Sequence, residues 1–183
     1  MTTAPTATTK NKIITAGKKL FGTQGFVGTS MSDIAKEVGI TKASLYYFYK
    51  NKQDLYLTVL SEVHQQIEAL FANTTPQNRS TQNIEGLVLQ LIDIMTSCGA
   101  LLDVINPTHF DVTDPAFQQV FAKELMIEKK NRAYLKSCGV TNTKLASHTL
   151  FTATQGYALR VKYGVDDIKP KQFARYIATI IST

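Results

Sequence analysis

The chain contains 183 residues, of which 44% are apolar and 19% charged, so we expect one domain of ordinary size or two small ones. No apolar stretch approaches the roughly 18–20 residues of a membrane span, and the opening MTTAPTATTK lacks the apolar core of a secretory signal. The two cysteines, Cys98 and Cys138, are too few for a disulfide framework and too far apart for a zinc site. We expect both to be buried, reduced thiols.

The net charge of +6 is concentrated in the first part of the chain. Residues 1–52 contain eight lysines, no arginine and two acidic residues, Asp33 and Glu37, which leaves +6. Residues 53–183 contain twelve basic and twelve acidic residues and are therefore neutral overall. A basic segment joined to a neutral one favours a polyanion-binding module attached to a second domain, although a solvated basic surface would give the same count.

Apolar residues recur at the helical period in every long segment, which predicts an all-α fold. Residues 1–9 are predicted to form a disordered polar tail, with the first helix starting after Thr8 or Thr9. Gly25 is predicted to stop that helix, and Phe26 is the apolar residue that often follows such an end.

Two short helices are predicted next. Ser30 followed three residues later by Asp33 is typical of a capped helix start, since each side chain can satisfy a free backbone N–H group. Gly39 is predicted to end this helix, and Thr41 is predicted to cap the next one, which runs for about two turns over residues 42–48. Two short helices joined by a glycine turn are typical of a helix-turn-helix motif.

The remaining segments are also predicted to be helical. Asn51 and Asp54 repeat the capping pattern at the start of a long helix that ends near Asn73. Asp114 is predicted to cap a helix that begins at Pro115 and ends near Cys138. Further helices are predicted at residues 83–97, 100–105, 145–162 and 170–181. The predicted domains are a helix-turn-helix DNA-binding domain at residues 10–52 and a helical ligand-binding and dimerisation domain at residues 53–183, in which residues 53–73 form a connecting helix.

Two of these helices carry apolar faces that are predicted to pack against other helices. The helix over residues 115–138 has two apolar rows, which predicts a central place in a bundle; the rows are Phe117, Phe121 and Leu125 and, separately, Val120, Ile127 and Tyr134. The last helix carries an apolar face that is available to pack against a second copy of the chain: Phe173, Ile177, Ile180 and Ile181.

The third helix combines aromatic and cationic residues in the stretch GITKASLYYFYKNK. Because successive helical residues point about 100° apart, Leu45 can share one face with Phe48 or Tyr49. Tyr46 and Tyr47 then point away from that packed side. We therefore expect the aromatic cluster to face both ways, with one group packed inward and the other available to DNA.

The stretch GFVGTSMSDIAKEVGITKASLYYFYKNKQDLY resembles the TetR family of bacterial regulators. The residues that carry the resemblance are Gly25-Phe26, Thr29-Ser30, Ile34-Ala35, Gly39, Thr41, Leu45-Tyr46, Tyr49, Lys52 and Leu55. The resemblance covers residues 10–57 and implies an all-helical homodimer with a ligand pocket in each C-terminal domain and a cytoplasmic location. Many members have His-Phe at Phe48-Tyr49, so Tyr47, Tyr49 or Lys50 is left to make the phosphate contact that the histidine would have offered.

The predicted partner is double-stranded DNA. Thr41, Lys42 and Ser44 stand at a helix N-terminus, where they can donate to phosphates or base edges. Ala43 can touch a thymine methyl group, and Lys52 stands at the start of the next helix. Ser30 is also a candidate contact, although its capping role is favoured. The remaining predicted contacts are Tyr46, Tyr47 and Lys50. One short helix reads too few base pairs for specificity, so a homodimer on a near-palindromic operator is expected.

A ligand site is predicted less directly. The hypothesis is a mainly apolar cavity between the helices at 83–97, 115–138 and 145–162, which would hold a small hydrophobic or amphipathic effector. Four polar residues could line it, although an ordinary surface or satisfied core position is the favoured explanation for each: Asp93, His109, Tyr134 and Gln155. His64, His109 and His148 lack the spacing of metal ligands, so neither a metal nor a cofactor is predicted.

Three functions are consistent with these patterns. The first is a transcriptional repressor that a small ligand releases from DNA. The second is a ligand-independent activator or architectural DNA-binding protein, which predicts a filled C-terminal core. The third is an enzyme with a basic surface; the sequence offers it no nucleophile elbow and no phosphate-cradling glycine loop, so we do not expect an enzyme.

Overall fold

The computed structural model describes residues 4–73, 80–99, 111–165 and 167–182. Every regular element in these ranges is a helix, which confirms the predicted all-α class. The helices are α1 (Ala4–Gly28), α2 (Met31–Val38), α3 (Lys42–Phe48), α4 (Lys52–Asn73), α5 (Thr81–Cys98), α6 (Pro115–Ser137), α7 (Thr143–Lys162) and α8 (Pro170–Ser182). The predicted helix at 100–105 and the candidate ligand residue His109 lie outside the described residues. No helix in the described part is both long enough and apolar enough to cross a membrane.

The described helices fall into two compact units. The amino-terminal unit lies within residues 1–62 and 98–120, and the carboxy-terminal unit lies within residues 63–97 and 121–183. The boundary between the units lies within α4, after Glu62. The sequence pattern had placed the predicted domain boundary at residue 52, before this helix. The first half of α4 therefore packs as part of the amino-terminal unit.

Helix α1 differs from its prediction at one end and matches it at the other. It begins at Ala4, so the predicted disordered tail over residues 1–9 is helical from this residue onward. Pro5 does not prevent the early start, because an N–H group in the first turn has no partner within the helix. At the other end, Gly25 leaves the helical conformation with φ 70° and ψ 178°, as expected for a stop.

The caps of α2 and α3 confirm the predicted helix-turn-helix. The Ser30 hydroxyl accepts from the Asp33 backbone N–H at 3.1 Å, and the Asp33 carboxylate accepts from the Ser30 N–H at 3.1 Å. Gly39 ends α2 in the left-handed conformation with φ 77°. The Thr41 hydroxyl then accepts from the Ser44 N–H at 3.0 Å and starts α3. These capping hydrogen bonds join residues only three positions apart, so the local sequence determines where α2 and α3 begin.

Aromatic packing joins α1 to the first half of α4. The Tyr56 ring meets the rings of Phe21 and Phe26 edge to face, at centroid distances of 5.0 and 5.1 Å. Gly17 allows the helices to approach closely, since a Cβ atom there would lie 3.0 Å from Val59 Cγ2. These contacts fix the start of α4 against the helix that supports the helix-turn-helix.

The carboxy-terminal unit has its own apolar core with a few buried polar groups. Helices α7 and α8 pack together, and the rings of Tyr157 and Phe173 stack at 4.1 Å. Asn131 is fully buried on α6 and donates from Nδ2 to the Ser147 hydroxyl on α7 at 2.8 Å. Ile177 and Ile181 of the last helix are buried in this core, so of the four apolar residues predicted to meet a second copy these two are already covered.

Helix α6 corrects the prediction of a centrally placed helix. It starts as expected, with the Asp114 carboxylate accepting from the Ala116 N–H at 2.8 Å. Its second apolar row is buried: Val120, Ile127 and Tyr134. In the first row, however, Phe121 is 47% exposed and Leu125 48% exposed. Helical periodicity shows that two rows exist, but the number of neighbouring helices decides how many rows are covered.

Candidate nucleic-acid interface

The side chains of α3 separate into a buried and an exposed group, as the helical geometry predicted. Leu45 is fully buried and Tyr49 is 3% exposed, so they anchor the helix. Tyr46 and Tyr47 are 45% and 84% exposed, and their rings therefore stand on the outer face. An aromatic ring that stays largely in water gains little from the protein core, so these two exposed phenols are available to a partner.

The burial of Tyr49 settles one of the alternatives for the missing histidine. Its hydroxyl is enclosed and has no hydrogen-bond partner among the residues that the structure describes. Burial, followed by the nearby carboxylates of Asp54 and Glu62, raises the pKa of Tyr49 to about 12. Tyr49 is therefore a core residue, and of the three residues predicted to replace the histidine only Tyr47 and Lys50 are exposed to a partner.

Polar groups cluster at the N-terminus of α3. The Thr41 and Ser44 hydroxyl groups lie 2.8 Å apart and both residues are exposed. Lys42 and Ala43 stand beside them on the surface, and the Lys42 ammonium lies 5.9 Å from the Tyr46 ring centroid. Lys42 has no carboxylate partner among the described residues. A positive helix end, an unpaired ammonium and two hydroxyl groups together suit a phosphate or the acceptor atoms of a base edge.

Two of the predicted contacts already have structural roles. Ser30 forms the capping box of α2, as favoured from its sequence context. The Lys52 ammonium donates to the Phe26 backbone carbonyl oxygen at 2.8 Å and lies 4.3 Å from the centroid of the Phe26 ring. The ammonium thus satisfies a carbonyl group just beyond the break at Gly25. No local sequence pattern marks this role, because the two residues are 26 positions apart.

The ionised groups around the motif leave the α3 surface cationic. Glu37 is paired with Lys19 at 2.6 Å, across α1 and α2. Hydrogen bonds from the Ser30 side chain and backbone lower the pKa of Asp33, so this carboxylate stays charged within its cap. Both acidic residues of the first 52 are therefore engaged locally, whereas Lys42 and Lys50 extend into solvent.

The three candidate ligand residues in the described part of the chain, Asp93, Tyr134 and Gln155, are not brought together. Asp93 is exposed and lines a groove of about 430 Å³ between α4 and α5, with Gln66 and Gln90 among its neighbours. Tyr134 is buried, donates to the Asn83 carbonyl oxygen at 3.0 Å, and has its pKa raised by burial and by Cys138. Gln155 lies half-buried on α7. The groove that contains Asp93 is thus lined by α4 and α5, not by the three helices of the predicted cavity.

The same unit contains two buried polar residues that were not predicted from the sequence, His64 and Asn131. His64 is 6% exposed, and its Nδ1 atom has no hydrogen-bond partner within the described ranges. Burial and the nearby Lys123 ammonium lower the pKa of His64 to about 4, against a weaker opposing effect of Glu68. Asn131 was recognisable in principle, because it falls in the apolar row of Ile127 and Tyr134.

Comparisons with known proteins place this geometry in a family. Residues 13–59 match the family model of bacterial regulatory proteins, tetR family. The chain is 51% identical over 47 residues to IcaR of Staphylococcus epidermidis, a negative transcriptional regulator of a biofilm operon, and that match covers 26% of this chain and 25% of IcaR. It is 36% identical over 128 residues to YttP of Bacillus subtilis, a probable HTH-type transcriptional regulator, with 69% and 58% covered. The matches thus span a quarter and somewhat more than half of these relatives.

Solved structures extend the likeness of fold to nearly the whole chain. KstR2 of Mycobacterium tuberculosis, a ketosteroid transcriptional regulator, superposes with a TM-score of 0.73 at 14% identity and 95% coverage of both chains. AibR, solved with isovaleryl coenzyme A and operator DNA, superposes with a TM-score of 0.71 at 16% identity, covering 95% of this chain and 98% of AibR. Residues 13–59 thus carry the helix-turn-helix of the tetR family of bacterial regulatory proteins, and the remaining helices share the fold of these solved regulators.

Proposed function

We propose that the protein is a sequence-specific DNA-binding transcriptional regulator that acts as a repressor in the cytoplasm. The observation that carries this proposal is the outer face of α3, which presents Thr41, Lys42, Ser44, Tyr46 and Tyr47 to solvent on a helix anchored by Leu45. The family match at residues 13–59 covers this face, and IcaR, which is 51% identical to this chain over 47 residues, is a negative regulator.

Each residue of this face has a distinct task in the proposal. Lys42 and Lys50 bind phosphates, which supply most of the affinity. Thr41 and Ser44 donate to a phosphate or a base edge, and Ala43 allows the helix to enter the major groove next to a thymine methyl group. Tyr46 and Tyr47 lay their rings and hydroxyl groups along the groove wall.

Specific binding requires two copies of this face. α3 has only seven residues, so a single copy contacts too few base pairs to select one site in a genome. The α7 and α8 helices offer apolar surface for a second copy, since Leu145, Tyr176 and Ile180 are 61%, 65% and 43% exposed. Two α3 helices about 34 Å apart would read a near-palindromic operator.

The repressor is proposed to release DNA when a small apolar or amphipathic ligand binds the carboxy-terminal unit. Support comes from AibR and from FadR of Bacillus subtilis, which were solved with isovaleryl coenzyme A and stearoyl-CoA. The ligand can only shift the DNA-binding equilibrium by the difference in its affinity for the two states.

The test is selection of genomic fragments by the purified protein, followed by mobility shifts at moderate salt. We expect a near-palindromic site occupied by two chains, and loss of the shift in the Lys42→Ala/Tyr47→Ala double variant. The Lys171→Ala variant, which removes an exposed cation from α8, is the matched control and should bind normally. A monomeric protein, or equal binding of all fragments, would overturn the proposal.

Adding candidate ligands to the protein–DNA complex tests the repressor mechanism separately. A ligand that binds the free protein should release the DNA. If tight-binding ligands leave the shifted band unchanged, the protein regulates transcription without an effector.

A further inference from the structure

One line of side chains on the outer surface of α6 has no role in the proposed function. It consists of Phe121, Leu125, Lys129, Arg132 and Lys136, spaced four, four, three and four residues apart. At about 100° per residue these positions fall within roughly 80° of arc, so they form one stripe along the helix. We call it the α6 stripe; it is apolar at its beginning and cationic at its end.

The cationic end borders a shallow hollow that is open to solvent. Lys129, Arg132, Ala133 and Lys136 of α6, with Thr143 at the start of α7, line a space of about 400 Å³. The small side chain of Ala133 leaves room between the three cations. The Thr143 hydroxyl adds a hydrogen-bond donor to this wall.

These cations are poorly neutralised. Among the described residues, Lys129 and Lys136 have no carboxylate within 4 Å. Arg132 lies 3.9 Å from Glu128, much longer than the roughly 2.8 Å of a charge-assisted hydrogen bond. Lys130, which points away from the stripe, is by contrast paired with Glu68 at 2.5 Å. Three cations against one distant carboxylate leave the hollow with an excess of about two positive charges.

The apolar end continues directly from the hollow. Leu125 lies one turn before Lys129 and Phe121 one turn earlier, so the apolar surface extends about 12 Å from the first cation. Both side chains are about half exposed. A half-exposed phenylalanine and leucine in one row form an apolar surface that a partner can cover.

We propose that the α6 stripe binds a small amphipathic ligand with a phosphate head group and an apolar body. The phosphate lies in the hollow, where its two negative charges match the excess positive charge and the Arg132 guanidinium can donate two parallel hydrogen bonds. The apolar body lies along Leu125 and Phe121. A nucleic acid would use the cations but would leave the apolar end uncovered, so it fits the stripe less well.

Calorimetric titration with octyl phosphate below its micelle concentration tests the proposal. We expect octyl phosphate to bind more tightly than inorganic phosphate, which lacks the apolar body, and than octanol, which lacks the charge. The Lys129→Gln/Lys136→Gln variant should bind octyl phosphate about tenfold more weakly, since two charge-assisted contacts are lost at an exposed site. The Phe121→Ser/Leu125→Ser variant should bind it no better than wild type binds inorganic phosphate.

The control is Lys171→Gln, which removes the same charge from α8 outside the hollow and should bind like wild type. Circular dichroism of each variant excludes unfolding as the cause of a lost signal. Equal affinity of octyl phosphate for wild type and the double lysine variant would overturn the proposal, and so would equal affinity of wild type for octyl phosphate and octanol. Binding only to vesicles that contain phosphatidic acid, with none to monomeric octyl phosphate, would also overturn it, because the occupant would be a lipid surface.

The binding measurement does not depend on DNA. If the protein shows no site preference on DNA yet binds octyl phosphate through the stripe, the proposed function fails and this inference stands. If it binds an operator but the stripe variants bind octyl phosphate normally, the inference fails alone.

Discussion

The two compact units both expose aromatic or aliphatic side chains next to lysines, but on different supports. In the amino-terminal unit, Tyr46 and Tyr47 stand on a seven-residue helix that two local caps and one buried leucine hold in place. In the carboxy-terminal unit, Phe121 and Leu125 stand on a 23-residue helix whose opposite face is buried. The comparison teaches that a cluster of exposed apolar and cationic side chains on a well-anchored helix is a candidate binding surface, whichever helix carries it.

The largest expected effect comes from the anchor under α3. Leu45→Ala removes a fully buried side chain and should lower the free energy of unfolding by about 4 kcal/mol. The matched change on the α6 stripe, Leu125→Ala, should cost less than about 1 kcal/mol, because nearly half of that side chain is already in water. Urea denaturation monitored by circular dichroism measures both. Equal losses would mean that Leu125 is covered in solution and that the stripe is not a free surface.

A fall in pH should destabilise the protein through the carboxy-terminal unit. His64 has a pKa of about 4 in the folded chain, against 6.5 ordinarily, because burial disfavours its charged form. Between these values the unfolded chain binds the proton and the folded chain does not, so stability falls as the pH drops from 6.5 to 4. The loss should approach about 3 kcal/mol at pH 4.

Denaturation curves of His64→Met and His148→Met between pH 4 and 7.5 isolate this contribution. His64→Met should flatten the pH dependence, while His148→Met, at an exposed site, should leave it unchanged. The same slope in wild type and His64→Met would show that other groups cause the acid loss.

The elements that could be predicted from the sequence are those whose cause is local. Ser30, Gly39 and Thr41 begin or end a helix through hydrogen bonds to residues at most four positions away. The local sequence is therefore enough to predict these caps. Burial along α6 depends on which helices lie alongside it, and the helical periodicity of the sequence does not contain that information. The Lys52–Phe26 contact joins residues 26 positions apart, and no local pattern marks it.

A smaller effect tests whether Lys52 serves the fold or the DNA. Lys52→Met keeps most of the aliphatic stem but loses the hydrogen bond to the Phe26 carbonyl and the contact with the Phe26 ring. We expect unfolding to become easier by about 2 kcal/mol. The salt dependence of operator binding should stay as in wild type. A shallower salt slope with unchanged stability would instead identify Lys52 as a phosphate contact.

The smallest expected effect on stability concerns Lys42, whose substitution also tests the DNA-binding role of the α3 surface most directly. Its ammonium has no carboxylate partner in the described part of the chain, so Lys42→Ala should leave the free energy of unfolding within about 0.5 kcal/mol of wild type. If it binds one phosphate in each half-site, the slope of log K against log salt should become shallower by ~0.9 per chain. Mobility shifts from 50 to 200 mM salt measure this slope, with Lys36→Ala on α2 as the control. An unchanged slope would remove Lys42 from the DNA-binding surface and leave the exposed tyrosines and Lys50 to hold α3 in the groove.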